Sequence, residues 1–171
     1  MKEKRQYILV IMLILSILLV DQVVKIFVIS QNQPIEIGNG LLKINYIKEN
    51  ENNFEIGQVL TSIFADLLVI LILSRFLLRQ IKNMNVATKT AIAFVLGGAI
   101  SNVIDRIIRG KIIKYIDISG MINSFPIFNI AHIVIAIGFI IFVITVGIDL
   151  IKMRPREEKT NFDKEDTSKN N

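Results

Sequence analysis

The sequence contains no cysteine, and His132 is its only histidine. The absence of cysteine excludes disulfide scaffolds, thiol nucleophiles and Cys-ligated metal or haem centres. A single histidine argues against a zinc site built from protein side chains, because catalytic zinc usually takes two or three His ligands. We therefore expect neither a metal nor a cofactor.

A basic face with interleaved aromatic side chains is also missing, although the formal net charge is +5 at pH 7. Without such a face, the charge gives no reason to expect a nucleic-acid partner. Apolar residues are abundant instead and make up 52% of the chain. The positive charge is therefore better interpreted as a signal of membrane topology.

Four mostly apolar stretches approach the ~20 residues that a helix needs to cross ~30 Å of hydrocarbon. They predict an all-α membrane protein with four transmembrane helices, at about residues 7–29, 59–78, 87–108 and 127–151. No small-x-small cleavage site follows the first stretch, so we expect a permanent helix and not a signal peptide. A membrane domain would then cover residues 1–153. The polar run at residues 154–171 predicts a disordered, charged cytoplasmic tail.

Lysine and arginine are distributed unequally between the two ends of these spans. Thirteen lie on the side of both termini and six on the opposite side. Because cytoplasmic segments carry the excess of Lys and Arg, both termini are predicted to be cytoplasmic. The long connection after the first span is then extracytoplasmic. Its Ile35–Ile37 alternation, Gly38-Asn39-Gly40 turn and Leu42–Ile47 run predict a small β-hairpin.

Polar side chains inside three of the spans fall at one depth. With ~1.5 Å of rise per residue, Asp21 lies about 21 Å into an outward-going helix, and the third and fourth spans bring polar residues to the same level. Spacings of three or four residues place those of each span on one face. The set comprises Asp21, Lys25, Asn102, Asp105, Arg106, Asn129 and His132. Asp66 reaches a comparable depth, and we expect it to pair with Lys114 or Lys25.

These groups either neutralise one another or form a site in the outer leaflet. Ionisable residues in hydrocarbon are costly and usually pair, but a cluster drawn from three or four helices is more typical of a site. Clustering alone does not decide its chemistry. Gly97, Gly98, Gly138 and Gly147 allow close helix approach, which we interpret as packing within one bundle. A monomer is therefore the expected state.

Three segments of the spans occur in a characteristic order. Residues 21–25 read Asp-Gln-Val-Val-Lys. Residues 97–106 read Gly-Gly-Ala-Ile-Ser-Asn-Val-Ile-Asp-Arg, and Gly110 follows. Residues 125–132 read Phe-Pro-Ile-Phe-Asn-Ile-Ala-His. In order, spacing and position within four spans, they resemble the motifs of the signal peptidase II, or lipoprotein signal peptidase, family of membrane aspartyl proteases.

The resemblance extends over about residues 7–150 and implies four helices with a small extracytoplasmic β-cradle in the bacterial cytoplasmic membrane. Members of this family remove the signal peptide of a diacylglyceryl-modified prolipoprotein just before its lipidated cysteine. They use two aspartates, one in a Gly-x-Val-Val-Asp-Phe segment and one that ends an Asn-x-Ala-Asp motif. Two close carboxylates that share one proton can supply both a base and an acid. The implied partners are membrane lipids and lipid-modified prolipoproteins or a membrane protein.

Both of these aspartates are replaced in this chain. Residues 110–115 read Gly-Lys-Ile-Ile-Lys-Tyr and put Lys114 at the first position, and His132 occupies the second. A cation and an imidazole cannot reproduce a carboxylate pair that shares a proton. A further family motif, Asn-x-Gly-Ala-Ala-Phe, aligns with residues 49–54 and keeps only Phe54.

The positions that support the dyad and hold substrate in the family are kept. They are Asp21, Lys25, Asn102, Asp105, Arg106 and Asn129. Because these residues are kept and the catalytic pair is not, the sequence predicts a catalytically inactive homologue. It would bind lipid-modified prolipoprotein, lipid or a membrane partner at a polar site facing the outer leaflet. Lys114 and His132 would make that site electropositive and favour an anionic ligand.

Other functions stay open. Proteolysis would be retained if Asp21, Asp105 or Asp117 supplied the carboxylates, and Asp117 lies three residues after Lys114. A Ser101–Lys114 dyad is a second enzymatic alternative, since Ser101 stands where the family has Gly. A decoy, chaperone or regulator, acting on lipoproteins or on the genuine peptidase, would bind without turnover.

Overall fold

Four long helices make up most of the protein. The computed structural model describes residues 2–31, 33–46 and 56–153, and four of its helices are long and apolar enough to cross a membrane. They are α1 (Lys2–Ser30), α2 (Ile56–Gln80), α3 (Val86–Arg109) and α4 (Ile130–Met153). The prediction of four transmembrane helices is confirmed. The predicted tail at residues 154–171 and the divergent motif at residues 49–54 lie outside the described residues.

The start of α4 differs from its prediction for a clear reason. The apolar pattern starts the fourth span at residue 127, whereas α4 begins at Ile130. Phe128 is used in a strand-like exchange instead: its carbonyl accepts from the amides of Tyr115 and Ile116, and its amide donates to the Ile116 carbonyl. A short apolar run alone cannot distinguish such a segment from the first turn of a helix.

α3 is the central helix of the bundle. It contacts α1, α2 and α4, and 61% of its most apolar window is buried, against 11% or less in the other three helices. Large apolar side chains of those three helices face outward, as Leu19, Phe64 and Phe139 do. Polar side chains on α3 are therefore enclosed by protein, which is where a membrane protein tolerates them.

Glycines let α3 approach its neighbours closely. A Cβ at Gly98 would lie 2.8 Å from the carbonyl oxygen of Ala131 on α4. Gly138 of α4 packs against the carbonyl of Ala91 in the same way, and Gly97 packs against α1. The prediction that these glycines serve packing within one bundle is confirmed at the three positions.

A small sheet follows the ends of α1 and α3. Its strands β1 (Ile35–Ile37) and β2 (Leu42–Ile44) form the predicted antiparallel hairpin. Residues 38–40 between them all have positive φ, a conformation that Gly and Asn adopt at low cost. A third strand, β3 (Ile116–Asp117), pairs with β2 and is too short to be predicted from alternation.

Gly110 turns the chain at the end of α3 toward this sheet. It adopts a left-handed conformation with φ of 73°, and its amide donates to the Arg106 carbonyl. The segment that follows packs Ile113 and Tyr115 against Val28 near the end of α1, and these three side chains are almost fully buried. Residue 114 therefore lies between two anchored neighbours.

Gly138→Ala should destabilise the bundle, whereas Gly147→Ala in the same helix should not. A Cβ at residue 138 would lie 2.7 Å from the Ala91 carbonyl oxygen, but nothing lies within 4 Å of a Cβ at Gly147. Overpacking costs about 1–3 kcal/mol, and alanine at an unobstructed helix position gains up to ~1 kcal/mol over glycine. Thermal unfolding in detergent checks this, and equal melting temperatures would contradict close packing at Gly138.

Candidate functional site

A buried lysine joins two buried aspartates at the centre of the polar cluster. The Nζ atom of Lys25 lies 2.5 Å from an oxygen of Asp21, one turn earlier in α1, and 2.6 Å from an oxygen of Asp105 in α3. All three side chains are fully buried. Because an isolated charge in hydrocarbon is costly, the ammonium and the carboxylates stabilise one another and hold α1 against α3.

The remaining bonds of Asp21 connect it to α3 and α4. Its Oδ2 atom accepts from the Ser101 hydroxyl at 2.6 Å, and its Oδ1 atom accepts from the Ala131 amide at 2.9 Å. Ser101 is fully buried. Its hydroxyl proton is therefore directed to a carboxylate, an arrangement that favours a packing role for Ser101 over the nucleophilic one.

Asp105 has a second cation besides Lys25. Arg109, one turn later in α3, lies 2.6 Å from its Oδ1 atom, and Gln22 donates to the same oxygen at 3.0 Å. The Oδ2 atom accepts from the Ile113 amide at 3.2 Å. The two buried carboxylates are thus matched by two cations, and this part of the cluster is electrically neutral.

Asn102 and Asn129 connect α3 to α4 beside the charges. The Nδ2 atom of Asn129 donates to Oδ1 of Asn102 at 3.2 Å and to the Ile113 carbonyl at 2.9 Å. Its Oδ1 atom accepts from the His132 amide at 2.8 Å. Lys25 also donates to Asn102, at 3.4 Å. The amide of Asn129 therefore joins the loop after α3 to the first turn of α4.

These bonds fix the backbone at the two positions where the family resemblance places aspartates. Ile113, the neighbour of Lys114, is bonded through its amide to Asp105 and through its carbonyl to Asn129. On α4, Asn129 bonds the amide of His132. His132 is partly buried and interacts electrostatically with Lys114. The cluster thus brings residues 114 and 132 into one region.

Asp66 pairs with Arg106, so the expected pairing with Lys114 or Lys25 was wrong. The NH1 atom of Arg106 donates to Oδ2 of Asp66 in a short contact between α3 and α2. The rotation of α2 about its own axis decides which cation Asp66 meets, and a sequence does not specify that rotation. Both side chains are partly buried, and the pair gives α2 an ionic link to the centre of the bundle.

Asp117 and Tyr115 lie outside the helices, and their pKa values are shifted. The Ser119 amide donates to the Asp117 carboxylate at 2.8 Å and holds the pKa of Asp117 below its usual range. Burial raises the pKa of Tyr115 above its usual value, so the phenol stays protonated, and its oxygen accepts from the Ile130 amide at 3.4 Å. Asp117 is therefore ionised at neutral pH and a poor proton donor.

Gln22 and Arg109 belong to the cluster and were not among the predicted site residues. Gln22 donates to the Ser101 hydroxyl at 2.9 Å and accepts from Arg109 at 3.1 Å. The sequence feature that indicates a role for Arg109 is its spacing of four residues from Asp105, which suits an ion pair within a helix. Among residues 2–31, 33–46 and 56–153, no three Asp, Glu or His side chains are arranged to hold a metal ion.

Comparison with known proteins agrees with the motifs. Residues 13–148 match the signal peptidase (SPase) II family. The chain belongs to the signal peptidase II family. A lipoprotein signal peptidase of Halalkalibacterium halodurans is 31% identical over 158 residues, which cover 88% of this chain and 94% of that protein. A lipoprotein signal peptidase of Staphylococcus aureus is 28% identical over an alignment that covers 87% of this chain and 94% of that protein.

Solved structures of membrane enzymes share the architecture of this signal peptidase II family member. A bacterial membrane enzyme determined in meso at 1.9 Å resolution has a TM-score of 0.69 and 26% identity, over 80% of this chain and 91% of that one. A second bacterial membrane enzyme, determined at 2.3 Å resolution, has a TM-score of 0.70 and 24% identity. The match covers 86% of this chain and 92% of that one. With its four apolar helices, the chain is a multi-pass membrane protein.

Lys25→Met should strongly destabilise this signal peptidase II fold, because it leaves two buried carboxylates with one cation. Breaking a buried ion pair in this way costs about 3–5 kcal/mol. Adding Asp21→Asn removes the excess charge and should recover part of the loss. Thermal unfolding of both single variants and the double variant in detergent measures the coupling. Additive losses would contradict a charge-matched cluster.

Asp66→Arg combined with Arg106→Asp should be more stable than either change alone. Each single change puts two like charges together between α2 and α3, and the exchange restores opposite charges. Asp149→Arg, at an exposed position of α4, is the matched control and should change the melting temperature little. A double variant as unstable as the sum of both single changes would show that the contact contributes nothing.

Proposed function

We propose that this chain is a catalytically inactive member of the signal peptidase II family that binds lipid-modified prolipoprotein without cleaving it. One observation carries the proposal. The backbone beside Lys114 is bonded to Asp105 and Asn129, and that of His132 is bonded to Asn129, although neither position holds a carboxylate. The framework for presenting two side chains is kept, and the chemistry of those side chains is changed.

Peptide hydrolysis by an aspartate pair needs a base and an acid that share a proton. Lys114 and His132 offer an amine and an imidazole at the two positions, and these cannot share a proton as two carboxylates do. Asp21 and Asp105 are poor substitutes: both are fully buried, and each of their oxygens already accepts from a group within the protein.

The charge of the region favours an anionic group on the ligand. The buried carboxylates are matched by Lys25 and Arg109, and Lys114 and His132 stand where the family has two acids, so the region lacks those two negative charges. Charge-assisted hydrogen bonds make carboxylates and phosphates the preferred ligands of such a surface. A peptide carboxylate or a lipid phosphate next to the lipidated segment would supply that group.

An apolar cavity beside the site suits an acyl chain. It has a volume of about 230 Å³, lies between α2, α3 and α4, and has an entirely apolar lining. Its walls lie on the same helix faces as polar residues of the site and two to three turns deeper in the bilayer. The pairs on shared faces are Asp66 with Leu73, Arg106 with Val95, and His132 with Phe139. A ligand with a polar end and an acyl chain would occupy both parts.

The distribution of charge supports an orientation in the bacterial cytoplasmic membrane. Thirteen Lys and Arg lie on the side of the termini and six on the other, which favours cytoplasmic termini. The site would then face the outer leaflet, where a lipid-modified prolipoprotein is presented. In this arrangement residues 1–153 form the membrane domain and residues 154–171 a cytoplasmic tail.

The enzymatic alternative depends on Asp117. It lies three residues from Lys114 and outside the helices, and its lowered pKa keeps it ionised, so it could accept a proton but not donate one. It would therefore supply only one of the two functions that hydrolysis requires. A retained peptidase activity would have to take its acid from another group.

Prolipoprotein processing in cells depleted of their own signal peptidase II tests this proposal. Cells that express the natural chain should accumulate uncleaved prolipoprotein. Cells that express Lys114→Asp/His132→Asp should produce mature lipoprotein, because the scaffold then presents two carboxylates. Each single variant is a control and should stay inactive, because it has only one of the two carboxylates that the mechanism requires. Separation of precursor from mature protein on a gel gives the readout.

Two outcomes would overturn the proposal. Cleavage by the natural chain that is lost in Asp117→Asn would establish the enzymatic alternative. If neither the natural chain nor the double variant cleaves, photo-crosslinking of a prolipoprotein to residues near His132 separates two cases. A crosslink would show that the chain still binds prolipoprotein. No crosslink would overturn the proposal, and a membrane protein would then be the partner to look for.

A further inference from the structure

A second cavity lies at the end of the bundle where α1 and α3 begin, opposite the end that carries the polar cluster. It has a volume of about 140 Å³ and is formed by one face of α1 and the first turn of α3. Its polar wall contains Gln6, Lys89 and Thr90. Its apolar wall contains Leu9, Leu13 and Val86. The proposed function does not use this cavity.

The polarity of the cavity changes along α1. Gln6 and Leu13 are two turns apart on α1, about 10 Å along the helix axis, so the polar group of this wall lies near the start of α1 and its apolar groups lie deeper. On α3, Val86 is the first residue, and Lys89 and Thr90 lie one turn further along. Leu9 and Val86 have exposed fractions of 60% and 78%, and the cavity therefore opens sideways to the surrounding lipid. A phospholipid has the same order, with its headgroup outside its acyl chains.

Lys89 supplies a buried positive charge to this cavity. It is 9% exposed, and its ammonium donates to Oε1 of Gln6 at 3.1 Å. An ammonium has three N–H donors. Among residues 4–31, 33–46, 56–149 and 151–152, whose side chains the structure describes, no carboxylate forms an ion pair with Lys89. Burial of a charge beside a neutral acceptor alone is costly, and an anion in the cavity would stabilise it.

We propose that this cavity binds an anionic phospholipid, with the phosphate against the ammonium of Lys89 and an acyl chain along Leu9 and Leu13. The positive end of the α3 dipole, at Val86, favours an anion at the same place. Lys4 and Arg5 at the start of α1 add positive charge at this end of the bundle. The site is independent of the outer-leaflet site and of any peptidase activity.

Native mass spectrometry of the purified, delipidated full chain in detergent tests the site. With phosphatidylglycerol as the probe, the natural chain should retain one lipid more tightly than it retains phosphatidylcholine. Lys89→Gln should weaken this binding about fivefold or more, and Lys89→Arg should preserve it. Lys152→Gln, an exposed charge at the end of α4, is the matched control and should bind as the natural chain does.

A second variant keeps the charge and removes the space. Leu13→Trp fills the deep part of the cavity and should also weaken phosphatidylglycerol binding, so the test does not depend on Lys89→Gln alone. Melting temperatures without added lipid show whether each variant is folded. Equal binding of both lipids, or unchanged binding in folded Lys89→Gln, would overturn the proposal. Displacement of the lipid by inorganic phosphate at equal concentration would also overturn it, because a free anion would then be the ligand.

Discussion

The Lys25 ammonium lies between two carboxylates that come from different helices, and most of the polar site is arranged around that contact. Without it, the buried carboxylates of Asp21 and Asp105 would have a single cation, Arg109, between them inside a membrane protein. With it, Asp21 is held where it can bond the first turn of α4, and Asp105 is held where it can bond the loop after α3. Mutual neutralisation and site formation are thus two results of the same interactions. The charges that make the bundle stable also determine where residues 114 and 132 stand.

The proposed function separates the residues that would support a catalytic pair from the pair itself. The backbone of Ile113, next to Lys114, and the backbone of His132 are held by bonds to Asp105 and Asn129. A change of side chain at either position therefore leaves the supporting bonds intact. A fold of this kind can lose or exchange its chemistry without losing its structure, which is why family membership alone does not decide activity.

Much of the fold was predictable because it follows from local composition. Apolar length gave the four helices, and the Gly38-Asn39-Gly40 run gave the hairpin turn. Helical spacing also brought Asp21, Lys25 and Asp105 to one depth, because rise per residue is constant. The structure confirms that this part of the cluster is assembled.

The features that escaped prediction depend on relations between distant segments. β3 exists only because β2 offers it a partner, and two residues carry no alternation of their own. The start of α4 is delayed because Phe128 pairs with Ile116. Asp66 pairs with Arg106 because of the way α2 is rotated relative to α3. Each of these features depends on packing between distant segments, and local sequence patterns do not reveal such packing.

The spacing of the ion pairs bears on how the chain enters the bilayer during synthesis. Asp21 with Lys25 in α1, and Asp105 with Arg109 in α3, are pairs one turn apart, so the charges of each pair are matched within their own helix. Asp66 of α2 has its ion-pair partner, Arg106, on the next helix. Because α2 is made before α3, its carboxylate must stay protonated or near the membrane surface until α3 arrives. The order of charges along the chain thus makes α1 able to insert alone and couples the arrival of α2 to that of α3.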